Sequence, residues 1–186
     1  MTNMGQRNKK DFYQTPYCLT RELLEREELE GTVLEPACGK GAIVKVLHEY
    51  DYDPEFYDLN EGFNFLEETN TYDTIITNPP FSLANDFIEH AKKIYNKKII
   101  MLLPLNYLHG QYRYESGIFS QLKTLYVFTR YPMLEDTIRE DGNIEKTGMQ
   151  VFMWAVWNKP WKRNPSVEWI DINKYILRSS KYGKKQ

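Results

Sequence analysis

Two short segments carry residue types with chemical consequences. The first is Asn78-Pro79-Pro80-Phe81, which follows the apolar run Thr74-Ile75-Ile76-Thr77. Successive prolines fix φ and withdraw two N–H donors, so the corner is stiff. A stiff corner holds the Asn78 side-chain oxygen and the Pro79 carbonyl in a constant relation. Two acceptors so placed can take both hydrogens of one amino group, with Phe81 set to stack on a flat ring. Neither asparagine nor proline is a nucleophile or an effective base, so the segment reads as a positioning device. Taken alone, it reads as readily as a turn that starts a helix and buries Phe81 in the core. The second segment is Glu35-Pro36-Ala37-Cys38-Gly39-Lys40-Gly41, directly after Val33-Leu34. Glycines at a strand-to-helix turn let the backbone approach a ligand closely. The third glycine of a dinucleotide fingerprint would fall at Val44, and Glu35 suits a cation better than a phosphate. The alternative is a tight turn with no ligand. Asp58 stands 19 residues beyond Gly39. That separation is one at which a carboxylate accepts both hydroxyls of a ribose, although a lone Asp also serves as turn chemistry.

These residues need a frame. Apolar spacing predicts helices over Leu19–Glu28, with Thr20 as a cap, and over Ala42–Tyr50. A third helix runs from a Ser82 cap to about Tyr95, with Phe87, Ile88 and Ala91 on one face. Strands are expected at Thr32–Glu35, Glu55–Asp58, Asp73–Thr77 and Lys98–Leu103, the last ended by Pro104. Two more are expected at Leu122–Thr129 and Gln150–Asn158, joined through a turn at Asp141-Gly142-Asn143. Strands alternating with helices give an α/β fold with a parallel sheet and helices on both faces. The last two strands lack a helix between them and read as an antiparallel edge hairpin. In such sheets ligands bind at the carboxyl ends of the strands, where both segments lie.

The whole chain of 186 residues is expected to form one domain with its own core. Residues 1–10 read as a flexible lead, 11–158 as the catalytic domain and 159–186 as a basic extension. No apolar run reaches a membrane span, and the polar start with Arg7, Lys9 and Lys10 predicts no secretory leader. Cys18 and Cys38 are too few for a disulfide framework or a zinc cluster, so no metal site and a cytoplasmic location are expected. Net charge is -2, unevenly spread. Residues 159–186 hold eight Lys/Arg against two acids, leaving 16 basic and 24 acidic residues in 1–158. A basic extension on an acidic body fits a polyanion partner, or a solvated terminus.

The chain resembles S-adenosylmethionine-dependent methyltransferases that act on amino groups, above all the DNA adenine-N6 methyltransferases. The matching pieces, in order, are Phe12-Tyr13-Gln14-Thr15-Pro16, Glu35-Pro36-Ala37-Cys38-Gly39-Lys40-Gly41, Asn64-Phe65 and Asn78-Pro79-Pro80-Phe81. The resemblance implies a Rossmann-like methyltransferase fold, a mostly parallel seven-stranded sheet, and S-adenosylmethionine as cofactor. It implies that Phe12, Tyr13, Thr15 and Pro16 line the methionine end of that cofactor. Glu35 would face its ammonium, with Pro36, Ala37, Cys38, Gly39 and Gly41 forming the close loop. Asp58 would hold the ribose, and Asn64 and Phe65 would contact the adenine ring. The family carries Asp where this chain has Asn64, so the contact keeps an acceptor and loses its charge. Asn78, Pro79, Pro80 and Phe81 would grip and stack the target base.

That implied target is the N6 amine of adenine in DNA, flipped from the duplex or presented in a single strand. RNA adenine and a protein glutamine amide are alternative acceptors. A non-catalytic binding subunit on the same fold is the alternative of a different class. Only 36 residues separate Gly41 from Asn78, and 28 follow Asn158, which leaves no space for a large target-recognition domain. Recognition is therefore expected from residues 105–121 and 130–148, from the basic extension, or from a second subunit or a homodimer. Tyr107, Tyr112, Tyr114 and Arg113 are candidate nucleic-acid contacts, since aromatics interleaved with a cation suit bases and phosphates. Lys162, Arg163, Arg178, Lys181, Lys184 and Lys185 are candidate phosphate contacts. His48, His90 and His109 read as surface bystanders.

Overall fold

A computed structural model describes residues 14–130 and 151–174. Phe12, Tyr13, the turn at 141–143, most of the 130–148 connection, and Arg178, Lys181, Lys184 and Lys185 lie outside the described residues.

The elements in chain order are α1 (Tyr17–Leu24), β1 (Val33–Glu35), α2 (Ala42–Glu49), β2 (Glu55–Phe56), β3 (Tyr72–Thr77), α3 (Ala84–Ile94), β4 (Tyr95–Pro104), α4 (Gln111–Glu115), β5 (Leu122–Phe128), β6 (Phe152–Asn158) and β7 (Ser166–Ile170). Short 3-10 turns at Leu59–Glu61 and Phe65–Glu67 bridge β2 to β3, and others precede α3 and α4. The strands form one sheet in the order β2-β1-β3-β4-β6-β5-β7. Six run parallel and β6 runs against its neighbours β4 and β5. The expected hairpin of β5 and β6 is present. The outermost place beyond β5 belongs to β7, which forms from residues 166–170 of the basic extension. Phe152–Trp157 is buried throughout, as a strand flanked on both sides must be.

Alternation along the strands sends side chains to two cores. Ile75, Ile99, Met101, Leu103, Met153, Ala155 and Trp157 join α3 on one face. Ile76, Ile100, Leu102, Trp154 and Val156 join Cys18, Leu19 and Leu23 of α1 and Ile43 and Leu47 of α2 on the other. The indole N–H of buried Trp154 donates to the Leu19 carbonyl at 2.9 Å, and that of Trp157 to Ile118 at 2.9 Å. Each therefore buries its ring without orphaning its donor.

Two predicted caps are not caps. Pro16, with its preset φ, leads into α1, while Thr20 sits inside that helix, fully buried. The helix stops at Leu24 rather than Glu28 as the chain turns Glu27 inward. There the Glu27 carboxylate meets the Lys98 ammonium at 2.8 Å and accepts from the Tyr126 hydroxyl at 2.8 Å. Ser82 lies within a 3-10 turn, and Leu83 precedes α3 without a side-chain cap. Among the described residues no helix is long and apolar enough to cross a membrane.

Candidate active site

The sheet changes direction of winding between β1 and β3. From β1 the chain moves outward to β2, then crosses back to β3 and proceeds the other way. A crevice forms outside the carboxyl ends at such a reversal. Glu35 ends β1 and Thr77 ends the adjacent β3, so the sheet itself brings the glycine loop beside the Asn-Pro-Pro-Phe corner.

Glu35 is fully buried. Its Oε1 accepts from the Thr77 hydroxyl at 2.6 Å and from the Ala37 N–H at 3.0 Å, whereas Oε2 is buried without a partner. Burial, offset in part by these two bonds and reinforced by the Asp58 charge, pushes its pKa up to about 8. Burial, reinforced by the neighbouring acids Glu35, Asp58 and Glu61, pushes the Cys38 thiol up to about 11. A carboxyl kept from water with one oxygen unsatisfied is suited to a cationic group.

The loop is stitched to the end of β2. Cys38 N–H donates to the Tyr57 carbonyl at 2.9 Å, and Gly39 N–H to the Asp58 carboxylate at 3.0 Å. Asp58 also accepts from the Asn60 backbone at 2.9 Å and from its side chain at 2.7 Å, and is only 2% exposed. Gly39 and Gly41 have φ of 56° and 76°, left-handed values that would strain any side chain, and Gly41 leads into α2 from that conformation. The structure thus shows Asp58 shaping the loop. The neighbouring apolar side chains Phe56 and Leu59 are exposed.

At the corner, the Asn78 side-chain N–H donates to the Thr15 hydroxyl at 3.1 Å, and Thr15 is itself buried, as is Pro16 beside it. Pro79 is buried and Pro80 half-buried. Phe81 is half-buried, its ring centroid 5.7 Å from that of Phe152 on β6. The ring thus packs at the margin of one core without entering it.

Several expected contacts fall elsewhere. Phe65 lies in the core, 3% exposed, with its ring against Phe87 and His90 at 4.9 Å and 5.1 Å. His90 is accordingly no surface bystander, and its ring nitrogen meets the Glu68 carbonyl at 3.0 Å. Asn64 caps the turn above Phe65, accepting from Leu66 N–H at 3.2 Å and donating to Glu67 at 2.7 Å. Tyr107 is buried rather than presented for nucleic acid. Its hydroxyl donates to Asn85, and the Arg113 guanidinium lies over its ring at 3.9 Å. Arg113 also donates to Asn85 at 3.2 Å and to the His109 carbonyl at 2.6 Å, so the two side chains are spent on fastening α4 and the 3-10 turn before it to α3. Tyr112 and Tyr114 remain 61% and 76% exposed. Lys162 and Arg163 are exposed but lie at the wrong end. Because β6 runs antiparallel, Asn158 pairs with Lys98 at the amino end of β4, and the link to β7 begins there and rejoins the sheet at Ser166 beside Thr124, near the start of β5.

Sequence reasoning passed over Thr77. Its signal was present: a polar residue closes an apolar strand next to another that closes on Glu35.

No protein-family model matches the sequence, and no curated protein does. Solved structures share the fold. A chain from Listeria monocytogenes assigned to the class I S-adenosylmethionine-dependent methyltransferases superposes with a TM-score of 0.56 at 13% identity, over 94% of this chain and 72% of that one. A modification subunit assigned to a type I restriction enzyme of Vibrio vulnificus gives 0.54 at 14% identity, over 88% of this chain and 48% of its own. This chain therefore matches about half of that subunit. A Thermoplasma acidophilum protein gives 0.51 at 15% identity, over 77% and 88%. The architecture is the Rossmann-like fold of class I methyltransferases.

Proposed function

We propose that this protein transfers a methyl group from S-adenosylmethionine to the N6 amine of adenine in DNA. One observation carries the reading. The Asn78-Pro79-Pro80-Phe81 corner stands at the sheet reversal, bonded through Thr77 to a buried carboxyl on the glycine loop at 2.6 Å. The unpartnered Glu35 Oε2 fits the ammonium of the cofactor's methionine moiety. Gly39 and Gly41 fit close backbone approach, and Leu59 offers an apolar surface at the ribose and adenine end. The Vibrio subunit's description as part of a restriction enzyme supports DNA as the acceptor.

S-adenosylmethionine supplies an electrophilic methyl on a sulfonium. The chain's own task is to make a poor nucleophile competent. The lone pair of an adenine amine is delocalised into the ring. Asn78 Oδ1 and the Pro79 carbonyl accept its two hydrogens, so the nitrogen pyramidalises and its lone pair is released for attack. The N–C bond forms as the S–C bond breaks, and the same two acceptors stabilise the positive charge that grows on nitrogen. The cationic product amine then loses a proton to water. Phe81, braced by Phe152, supplies the stacking surface for the ring, worth ~1–3 kcal/mol. Alignment of the two reactants does much of the remainder, up to ~7–11 kcal/mol in well-oriented systems.

The test is transfer of tritiated methyl to DNA, RNA and protein, followed by identification of the labelled nucleoside. N6-methyladenine in DNA is expected. Label confined to RNA or to glutamine moves the acceptor, and no transfer to any acceptor with intact cofactor binding makes the chain a binding subunit. Asn78→Ala is expected to lower turnover at least 100-fold, the size of losing one preorganised donor or acceptor, with cofactor affinity unchanged.

A further inference from the structure

A buried carboxyl that is to meet a cation must keep one oxygen free of bonds within the fold, and it must be held from turning. Glu35 satisfies the first condition, since Oε2 has no partner. The second depends on what holds Oε1. Two donors converge on it: the Ala37 N–H at 3.0 Å, from the loop that Glu35 itself begins, and the Thr77 hydroxyl at 2.6 Å, from the end of β3. A single donor two residues away leaves the carboxyl plane free to swing about that bond. A second donor, reaching across from another strand, fixes it.

We propose that Thr77 is a positioning residue for the cofactor: by donating to Oε1 it stabilises the ionised Glu35 carboxylate and leaves Oε2 as the oxygen that meets the cofactor's ammonium. This inference rests on the methyl-transfer reading and deepens it. The acceptor sets the direction of the bond. An ionised carboxylate carries no hydrogen, so the hydroxyl has to donate, and the Ala37 N–H on the same oxygen can only donate. Thr77 and Glu35 are both fully buried, so bulk water supplies no substitute donor. The contact spans 42 residues of sequence, and only the paired β1 and β3 assemble it. Donation to the charged form opposes the rise that burial imposes on the Glu35 pKa. The other titratable groups facing this carboxyl are Asp58, just beyond β2, and the Cys38 thiol, which in turn faces Glu61. The test leaves all three in place.

Thr77→Val keeps the shape and removes the hydroxyl. In the ligand-free protein the Glu35 carboxyl carbon, followed by ¹³C NMR and assigned by its loss in Glu35→Gln, should titrate about one pH unit higher than in the wild type. The sign is diagnostic. Loosened packing that admitted water would lower the midpoint, because burial is the largest influence on this group. The dissociation constant of S-adenosylmethionine should rise about tenfold at pH 7, with kcat at saturating cofactor within about threefold of wild type. Affinity for methylthioadenosine, which lacks the ammonium, should stay within about twofold. Thr77→Ser should restore both the midpoint and the affinity. Thr77→Cys, with a weaker donor at the same place, should give intermediate shifts and serves if the valine variant does not fold. A midpoint that is unchanged or lowered, an equal loss of affinity for methylthioadenosine, or a fall in kcat at unchanged cofactor affinity overturns the proposal. If the midpoint rises but the wild type binds no S-adenosylmethionine, Thr77 does hold the carboxyl and the methyl-transfer reading is what fails.

Discussion

Replacing Glu35 by glutamine separates two consequences of burying this carboxyl. In the free protein its pKa rises from 4.5 to about 8, chiefly through burial. Between those values the folded chain holds a proton that the unfolded chain has released. Stability therefore falls as pH rises across this window, by ~1.4 kcal/mol per pH unit. Taken over the interval from 4.5 to 8, the ceiling is ~5 kcal/mol. Glutamine imitates the neutral acid: it keeps an acceptor for Thr77 and Ala37 and leaves a donor at the unpartnered position. Glu35→Gln without ligand should thus match wild type in urea unfolding at pH 5 and exceed it by up to ~4–5 kcal/mol at pH 8. Binding should show the reverse. A cation seated on Glu35 requires the ionised form, so wild-type affinity for S-adenosylmethionine should rise about tenfold per pH unit from 6 towards 8 and then level. Calorimetry in buffers of different ionisation enthalpy should register release of close to one proton at pH 6. The glutamine variant should bind weakly and without proton release. If the stability difference is the same at pH 5 and pH 8, Glu35 is already ionised in the free protein and the burial argument is wrong.

Removing one member of the buried ion pair, Lys98→Met, strands the Glu27 carboxylate and should cost ~3–5 kcal/mol in urea unfolding at neutral pH. Gly41→Ala meets nothing within 4 Å, so only its positive φ of 76° opposes the change, and a loss of ~1–2 kcal/mol is expected by thermal unfolding. Lys162→Ala with Arg163→Ala, at the sheet end remote from the catalytic corner, should leave DNA affinity in a filter-binding titration within about twofold. Tyr114→Ala, which removes an exposed ring near the rim, should leave the thermal midpoint within ~2 °C, since surface changes cost at most ~0.5 kcal/mol.

Local signals told most of the architecture. Each run of β-branched and aliphatic residues ending in Pro or Gly became a strand within a few residues of its expected bounds, because those breakers act locally. The strand at 166–170 escaped notice. Ser166, Val167, Glu168 and Trp169 are exposed, so the segment lacks the apolar pattern that marks a buried strand, and only pairing with β5 makes it one. The site was legible in the same measure. Glu35 and Asn78 announce themselves by type and neighbours. The bonds that tie them, Thr77 to Glu35 and Thr15 to Asn78, span 42 and 63 residues and exist only once the sheet has formed. Tyr107 and Arg113 misled for a related reason. An aromatic beside a cation has the same composition whether it faces a nucleobase or, as here, locks one helix to another.

The extra strand also turns the polypeptide around. After Asn158 the chain is at the amino end of β4. By Ile170, paired with Phe128, it has climbed back to the level of Pro104, four strands from β3 or ~19 Å across the sheet. A fluorophore placed at Asn173 therefore rides on the same rim as the Asn-Pro-Pro-Phe corner, while one at Arg163 marks the opposite pole. The pair forms a ruler along the strand axis, against which the height of any bound polynucleotide can be read by energy transfer.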